Sequence, residues 1–225
     1  MSSPHPAGAA RAEFGRPQPT RPTATVFCEG NFAEIDGKTA NGLVRQSERY
    51  AIASVIDSTK AGRDSGEVLD GVANGIPVVA DLAAALRVGR PECFVVGVAP
   101  TSGLLSPSER SVILNAIAEG LDVVNGLHEF LNDDVEFAAA ALLHDVTILD
   151  VRRPRVAKDL RMFTGRIREV TCPRIAVLGT DGAIGKRTTS TILTRALNDA
   201  GVHAVMVGTG QTALIQGTRY AVALD

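Results

Sequence analysis

A chain of 225 residues has room for one large or two small domains, and 45% hydrophobic with 21% charged residues is an ordinary globular balance. A net charge of −2 excludes a generally basic nucleic-acid surface, and no apolar run approaches the ~18 residues that a bilayer span needs. Four histidines without an H-E-x-x-H or His/Cys grouping leave no zinc motif.

Residues 1–22 carry five of the eleven prolines and read as a disordered tail. They lack the apolar core of a secretion signal. The three cysteines are scattered and outside any C-x-x-C pair, and each lies in or beside an apolar run. Buried reduced thiols and a cytoplasmic location are expected.

From Thr23 the chain alternates strands and helices. Thr25–Cys28 reads as a strand, and Thr39 as the cap of a helix reaching about Arg49. Ile52–Ile56 is a second strand, closed by Asp57 and Ser58. A polar loop with Arg63 and Asp64 leads to a short third strand, Ile76–Val79. Asp81 caps Leu82–Leu86, and Phe94–Val98 is the fourth strand. Ser106 and Pro107 open a helix that runs to Glu119. Leu121–Val124 follows as strand five. Asp133 or Asp134 caps an alanine-rich helix to Leu143, and Val146–Leu149 is strand six. This rhythm predicts an α/β fold, a doubly wound parallel sheet over 23–150. Ligands in such sheets sit beyond the carboxyl ends of the strands. The first loop is not G-x-G-x-x-G, so no nicotinamide cofactor is expected, although Asp57 stands where a dinucleotide fold puts its ribose-binding acid.

Residues 151–170, with Arg152, Arg153, Arg155, Lys158, Arg161, Arg166 and Arg168, read as a basic linker whose cations either face solvent or line a phosphate site next door. Residues 171–225 open a second domain. Ile175–Leu178 is a strand-like run, Gly179-Thr-Asp-Gly-Ala-Ile-Gly-Lys186 is a glycine turn ending in lysine, and Thr188–Leu197 has helical apolar spacing. That is the layout of a phosphate-binding loop, whose backbone N–H groups and helix N-terminus face an anion. Against G-x-x-x-x-G-K-[ST] it departs twice. Thr180 stands at the first glycine, and Arg187 stands where the Mg²⁺-binding hydroxyl belongs, with Thr188 one place late. Phosphate binding through Gly179, Thr180, Asp181, Gly182, Gly185, Lys186, Arg187, Thr188 and Thr189 is expected. Thr188 is the residue for Mg²⁺ if the metal is used. Val202–Val207 reads as a strand ending in a small polar loop, where Gln211 and Thr212 are candidates for a ligand's polar group, together with Asp57 and Ser58. A P-loop sheet ordinarily adds an apolar strand ending in an acid. None follows here, so this P-loop NTPase-like domain reads as cut short, with an open sheet edge that favours a homo-oligomer.

Several motifs in order resemble one bacterial family. They are Cys28-Glu-Gly-Asn-Phe32, Lys38-Thr-Ala-Asn-Gly-Leu-Val-Arg45, Val55-Ile-Asp-Ser58 with Ala61-Gly-Arg-Asp64, Gly126-Leu-His-Glu-Phe-Leu131, Gly179–Thr189 and Gly208-Thr-Gly-Gln-Thr212. The family includes the D-glutamate N-acetyltransferases. The resemblance implies a Rossmann-like domain followed by a P-loop domain, and acetyl transfer from acetyl-CoA to the amine of a small-molecule substrate, an amino acid. The P-loop would cradle the pyrophosphate of coenzyme A without hydrolysis. Arg45, Arg63 and His128 are the candidates for the base and the substrate-carboxylate contacts. Two alternatives stay open. The loop spacing also looks like dethiobiotin synthetase, which implies Mg-ATP and a ligase or kinase-like enzyme. The other is a non-catalytic nucleotide-binding fragment. Neither nucleic acid nor membrane is an expected partner.

Overall fold

Six short runs rich in Val, Ile and Phe pair into one parallel sheet. The strands are β1 (Thr23–Phe27), β2 (Ala51–Ile56), β3 (Val78–Val79), β4 (Cys93–Val96), β5 (Asp122–Asn125) and β6 (Ile148–Asp150). The computed structural model describes residues 21–100, 104–154, 158, 162–181 and 184–222. Residues 1–20 of the expected tail, Gly182, and Arg155 and Arg161 of the basic stretch lie outside the described residues. The strand order is β3-β2-β1-β4-β5-β6, every pair parallel. Continuous apolar runs suit such a sheet because both of its faces are covered. Phe27 and Phe94 stack across β1 and β4 at 5.7 Å, and Val26, Val95 and Val123 are fully buried. Each such side chain contributes about 1.5–3 kcal/mol by leaving water. The strand order winds one way from β1 to β3 and the other way from β4 to β6, and this switch between β1 and β4 opens a crevice at the carboxyl edge.

Helices α1 (Lys38–Arg45), α2 (Ser65–Asp70), α3 (Leu82–Gly89), α4 (Pro107–Ala118) and α5 (Val135–His144) connect the strands. Two expected caps and the expected helix start at Ser106 are in place. Asp81 accepts from Ala84 N, Asp134 accepts from Glu136 N and Phe137 N, and Ser106 with Glu109 forms a reciprocal capping box. Thr39 is not a cap. Gly37 holds that position without a side-chain bond, Thr39 is buried inside the first turn, and the helix ends at Arg45 rather than near Arg49. The polar loop after β2 contains α2, which Asp64 caps through Gly66 N and Glu67 N. Six residues are too few to show helical periodicity.

The second part of the chain folds differently from its apolar pattern. It contains α6 (Lys186–Asp199), α7 (Gln211–Gln216) and a two-stranded parallel pair, β7 (Val207–Gly208) with β8 (Tyr220–Ala221). Ile175–Leu178 forms no strand, and Ile175 and Leu178 are 67% and 85% exposed. Of Val202–Val207 only Val207 joins a ladder. Cys28 and Cys93 are buried as expected, whereas Cys172 is exposed. Among the described residues no helix is long and apolar enough to cross a membrane.

Candidate functional site

The glycine turn leads directly into α6. Gly185 takes φ +90°, the left-handed region, and serves as the N-cap without any side-chain hydrogen bond. The first N–H groups of α6 therefore have no capping side chain and face outward with the positive end of the helix. A Cβ at Gly179 would meet Ile184 Cδ1 at 2.3 Å, so a larger residue there would have to displace the Ile184 side chain. The Lys186 ammonium folds back and donates to the carbonyl of Asp181. Thr180, Asp181, Thr188 and Thr189 are exposed beside it.

Arg187, one residue on, points elsewhere. Its guanidinium donates to Gln216 Oε1 on α7. The α7 helix occupies the stretch read as a polar loop, and it is docked on α1 of the first domain. Ile215 is fully buried, and a Cβ at Gly126 would lie 2.9 Å from its Cδ1. Thr212 Oγ1 lies 3.2 Å from Thr39 Oγ1, and Gln211 is buried. Gln211 and Thr212 thus face the first domain. Part of the basic stretch clings to that domain too. Arg152 Nε donates to Gly126 O at 2.8 Å, and Arg153 pairs with Asp133 at 2.7 Å above the Phe130 ring.

The carboxyl edge of the sheet gathers the other candidates. Asp57 is fully buried and fully engaged, accepting from Phe32 N, Thr59 N and Thr59 Oγ1. It fixes the β1 loop to the β2 end. Ser58 donates to Glu29 through both its N–H and its hydroxyl. A cleft of about 210 Å³ lies here, walled by Phe27, Glu29, Ile56, Asp81, Leu82 and Val112. Arg63 and His128 are exposed, on the loops that follow β2 and β5. Arg45 sits apart, at the C-terminal end of α1, where Nε and a terminal nitrogen clasp Asp70 at 2.7–3.0 Å. That hydrogen-bonded pair holds the Asp70 carboxyl below its usual range. Among the described residues no three His, Cys, Asp or Glu side chains group as a metal site.

The structure brings Arg187, Gln216, Thr39 and Thr212 together across the two domains and leaves Arg63 and His128 on the open edge. Gln216 and Gly42, central to that contact, carry no sequence signal. A buried glutamine and a helical glycine are recognisable only once their neighbours are known.

Comparison with known proteins agrees with this two-part layout. Residues 58–154 match the family described as "Domain of unknown function (DUF1611_N) Rossmann-like domain". Residues 161–225 match "Domain of unknown function (DUF1611_C) P-loop domain". A D-glutamate N-acetyltransferase of a Pseudoalteromonas species is 32% identical over 130 residues, 57% of this chain and 38% of that protein. The D-glutamate N-acetyltransferase of Tritonibacter scottomollicae is 31% identical over 122 residues, 54% of this chain and 35% of that protein. The chain thus spans well under half the length of these curated relatives. The crystal structure of a DUF1611 family protein from Anabaena variabilis superposes with a TM-score of 0.80 at 32% identity, covering 91% of this chain and 58% of that one.

Proposed function

The chain belongs to this DUF1611 family, a Rossmann-like domain followed by a P-loop domain, and from that premise we propose that it binds acetyl-CoA and serves acetyl transfer to the amine of an amino acid, D-glutamate being the substrate in the relatives' names. The observation that carries the reading is the P-loop helix N-terminus. It has no side-chain cap, Gly185 opens it, Lys186 stands beside it, and the position of a Mg²⁺-binding hydroxyl is held by Arg187. Those features suit a pyrophosphate that is gripped rather than hydrolysed. Gly179, Thr180, Asp181, Gly182, Gly185, Lys186, Thr188 and Thr189 form the proposed cradle.

In the reaction the substrate nitrogen attacks the thioester carbonyl, the C–S bond breaks, and the proton lost by the amine ends on the coenzyme A thiolate. A base must relay that proton. Of the three candidates Arg45 is committed to Asp70, whereas His128 is exposed at the carboxyl edge close to the α7 docking site. His128 is therefore the favoured relay and Arg63 the favoured contact for a substrate carboxylate.

Calorimetry with acetyl-CoA and with Mg-ATP, on wild type and Lys186→Ala, tests the reading. Acetyl-CoA should bind without added metal, and Lys186→Ala should weaken it by about tenfold or more, as expected for loss of a charge-assisted contact. Mg²⁺-dependent ATP binding with no response to acetyl-CoA would replace it with the ATP-using ligase or kinase-like class.

A further inference from the structure

The P-loop helix is fastened to the first domain by a side chain that starts inside the loop. Arg187 reaches from the first turn of α6 to Gln216 Oε1. The Gln216 amide nitrogen donates in turn to Gly42 O and Gln46 O, both at 2.7 Å. Gly42 lies in the last turn of α1 and Gln46 is its C-cap, and Gly42 O also accepts from Gln46 N at 3.0 Å. The Gln216 carbonyl closes the clasp by accepting from Glu48 N at 2.8 Å and Arg49 N at 3.0 Å. Gly42 makes room for it, since a Cβ there would lie 3.1 Å from Thr212 Cγ2 and 3.2 Å from a terminal nitrogen of Arg187. Farther along α6, Arg195 adds a contact of 3.5 Å to Gln46 Oε1.

The clasp is electrostatically unbalanced. No carboxylate lies within ion-pair distance of Arg187 among the described residues. Burial, with the like charge of Arg45 behind it, pushes the guanidinium down to about 10. A half-buried cation without a counter-charge is costly, and an anion one residue away would relieve that cost. Binding at the loop and seating of the helix then favour each other, and such coupling is reciprocal by linkage.

We propose that Arg187 is a positioning residue that links anion binding at the P-loop to the docking of the P-loop helix on α1 through Gln216. The inference rests on the phosphate-cradle reading for its ligand. It assigns Arg187 a role away from the phosphates, and it makes Gln216, which lies on α7 outside the glycine turn, a determinant of affinity.

The test measures coenzyme A and, separately, inorganic pyrophosphate by calorimetry on wild type, Gln216→Ala, Arg187→Ala, Arg187→Lys and the Arg187→Ala/Gln216→Ala double variant. All are assayed well below their melting temperatures. Gln216→Ala should raise the dissociation constant about 5- to 20-fold. The double variant should be no worse than the weaker-binding single one, the mark of a shared contact. Arg187→Lys should fail to restore affinity because an ammonium lacks the planar fork. Amide hydrogen exchange over residues 186–191 should rise in Gln216→Ala without ligand. A merely structural clasp would lower the melting temperature and leave affinity unchanged, and that result overturns the proposal. Additive losses overturn it as well. If wild type binds pyrophosphate but not coenzyme A, the acetyl-CoA reading falls and the linkage is decided with pyrophosphate. Binding of neither overturns the linkage.

Discussion

Phe94 and Leu178 make the contrast between the two halves of this chain. Both sit in short apolar runs that lead into a glycine-containing loop. Phe94 is fully buried at the centre of six parallel strands, whereas Leu178 is 85% exposed in a segment without a ladder partner. The lesson is that an apolar run becomes a strand only where neighbours complete its hydrogen bonds and cover its faces. The first domain supplies both. The described residues of the second supply one pair of two-residue strands, and its firmest attachment is α7 lying on the first domain.

Phe94→Ala and Leu178→Ala test the contrast most directly. Urea unfolding should show a loss of about 3–5 kcal/mol for the buried ring and a change within about 0.5 kcal/mol for the exposed leucine. A large loss at Leu178 would mean that the segment is covered in solution, which would break the comparison.

A smaller effect is expected where the first domain uses buried charge. Asp150, at the end of β6, accepts from Asn125 Nδ2 and Asn132 Nδ2, both at 2.7 Å, and from Leu131 N at 3.0 Å and Asn132 N at 3.1 Å. Asp150→Ala strands these donors and should cost about 2–4 kcal/mol in the same assay. A loss below about 1 kcal/mol would show that water reaches the site and that the edge is less closed than the sheet.

The smallest effect concerns the turn that holds α2. Asp64 accepts from the backbone N–H groups of Asn74, Glu67, Gly75 and Gly66, which hold its carboxyl below the usual value. A depressed folded value means the contribution is present above the unfolded pKa near 4 and is lost as pH falls through the folded value. Asp64→Asn should therefore lower the urea midpoint at pH 7, with the gap to wild type closing below about pH 4. A gap independent of pH would assign the effect to the shape of the turn instead.

Much of the first domain was legible in the sequence. The alternation of strands and helices, the Asp81 and Asp134 caps, the helix start at Ser106 and the carboxyl-edge loops follow from local rules. Asp57 was legible as an acid at a strand end, but its complete engagement by Phe32 N and Thr59 depends on where the β1 loop passes. The small helices α2 and α7 escaped because six residues with polar starts look like turns. Gln211 and Thr212 were legible as polar residues that make a contact, and that they also meet the first domain depends on where α7 docks. The Arg187 position stood out as a departure from the loop pattern, but its partner is 29 residues away and on another element.

By itself the sequence determined the parallel α/β class, the glycine turn and its lysine, and the misfit at Arg187. Spacing and side-chain chemistry act over a few residues, and these features are of that range. Only the tertiary structure decided that Ile175–Leu178 stays outside a ladder, that α7 rather than a β-edge joins the two parts, and that Arg187 turns to Gln216. Strand pairing, burial and the partner that a charged side chain finds depend on residues far along the chain, and local pattern carries no record of them.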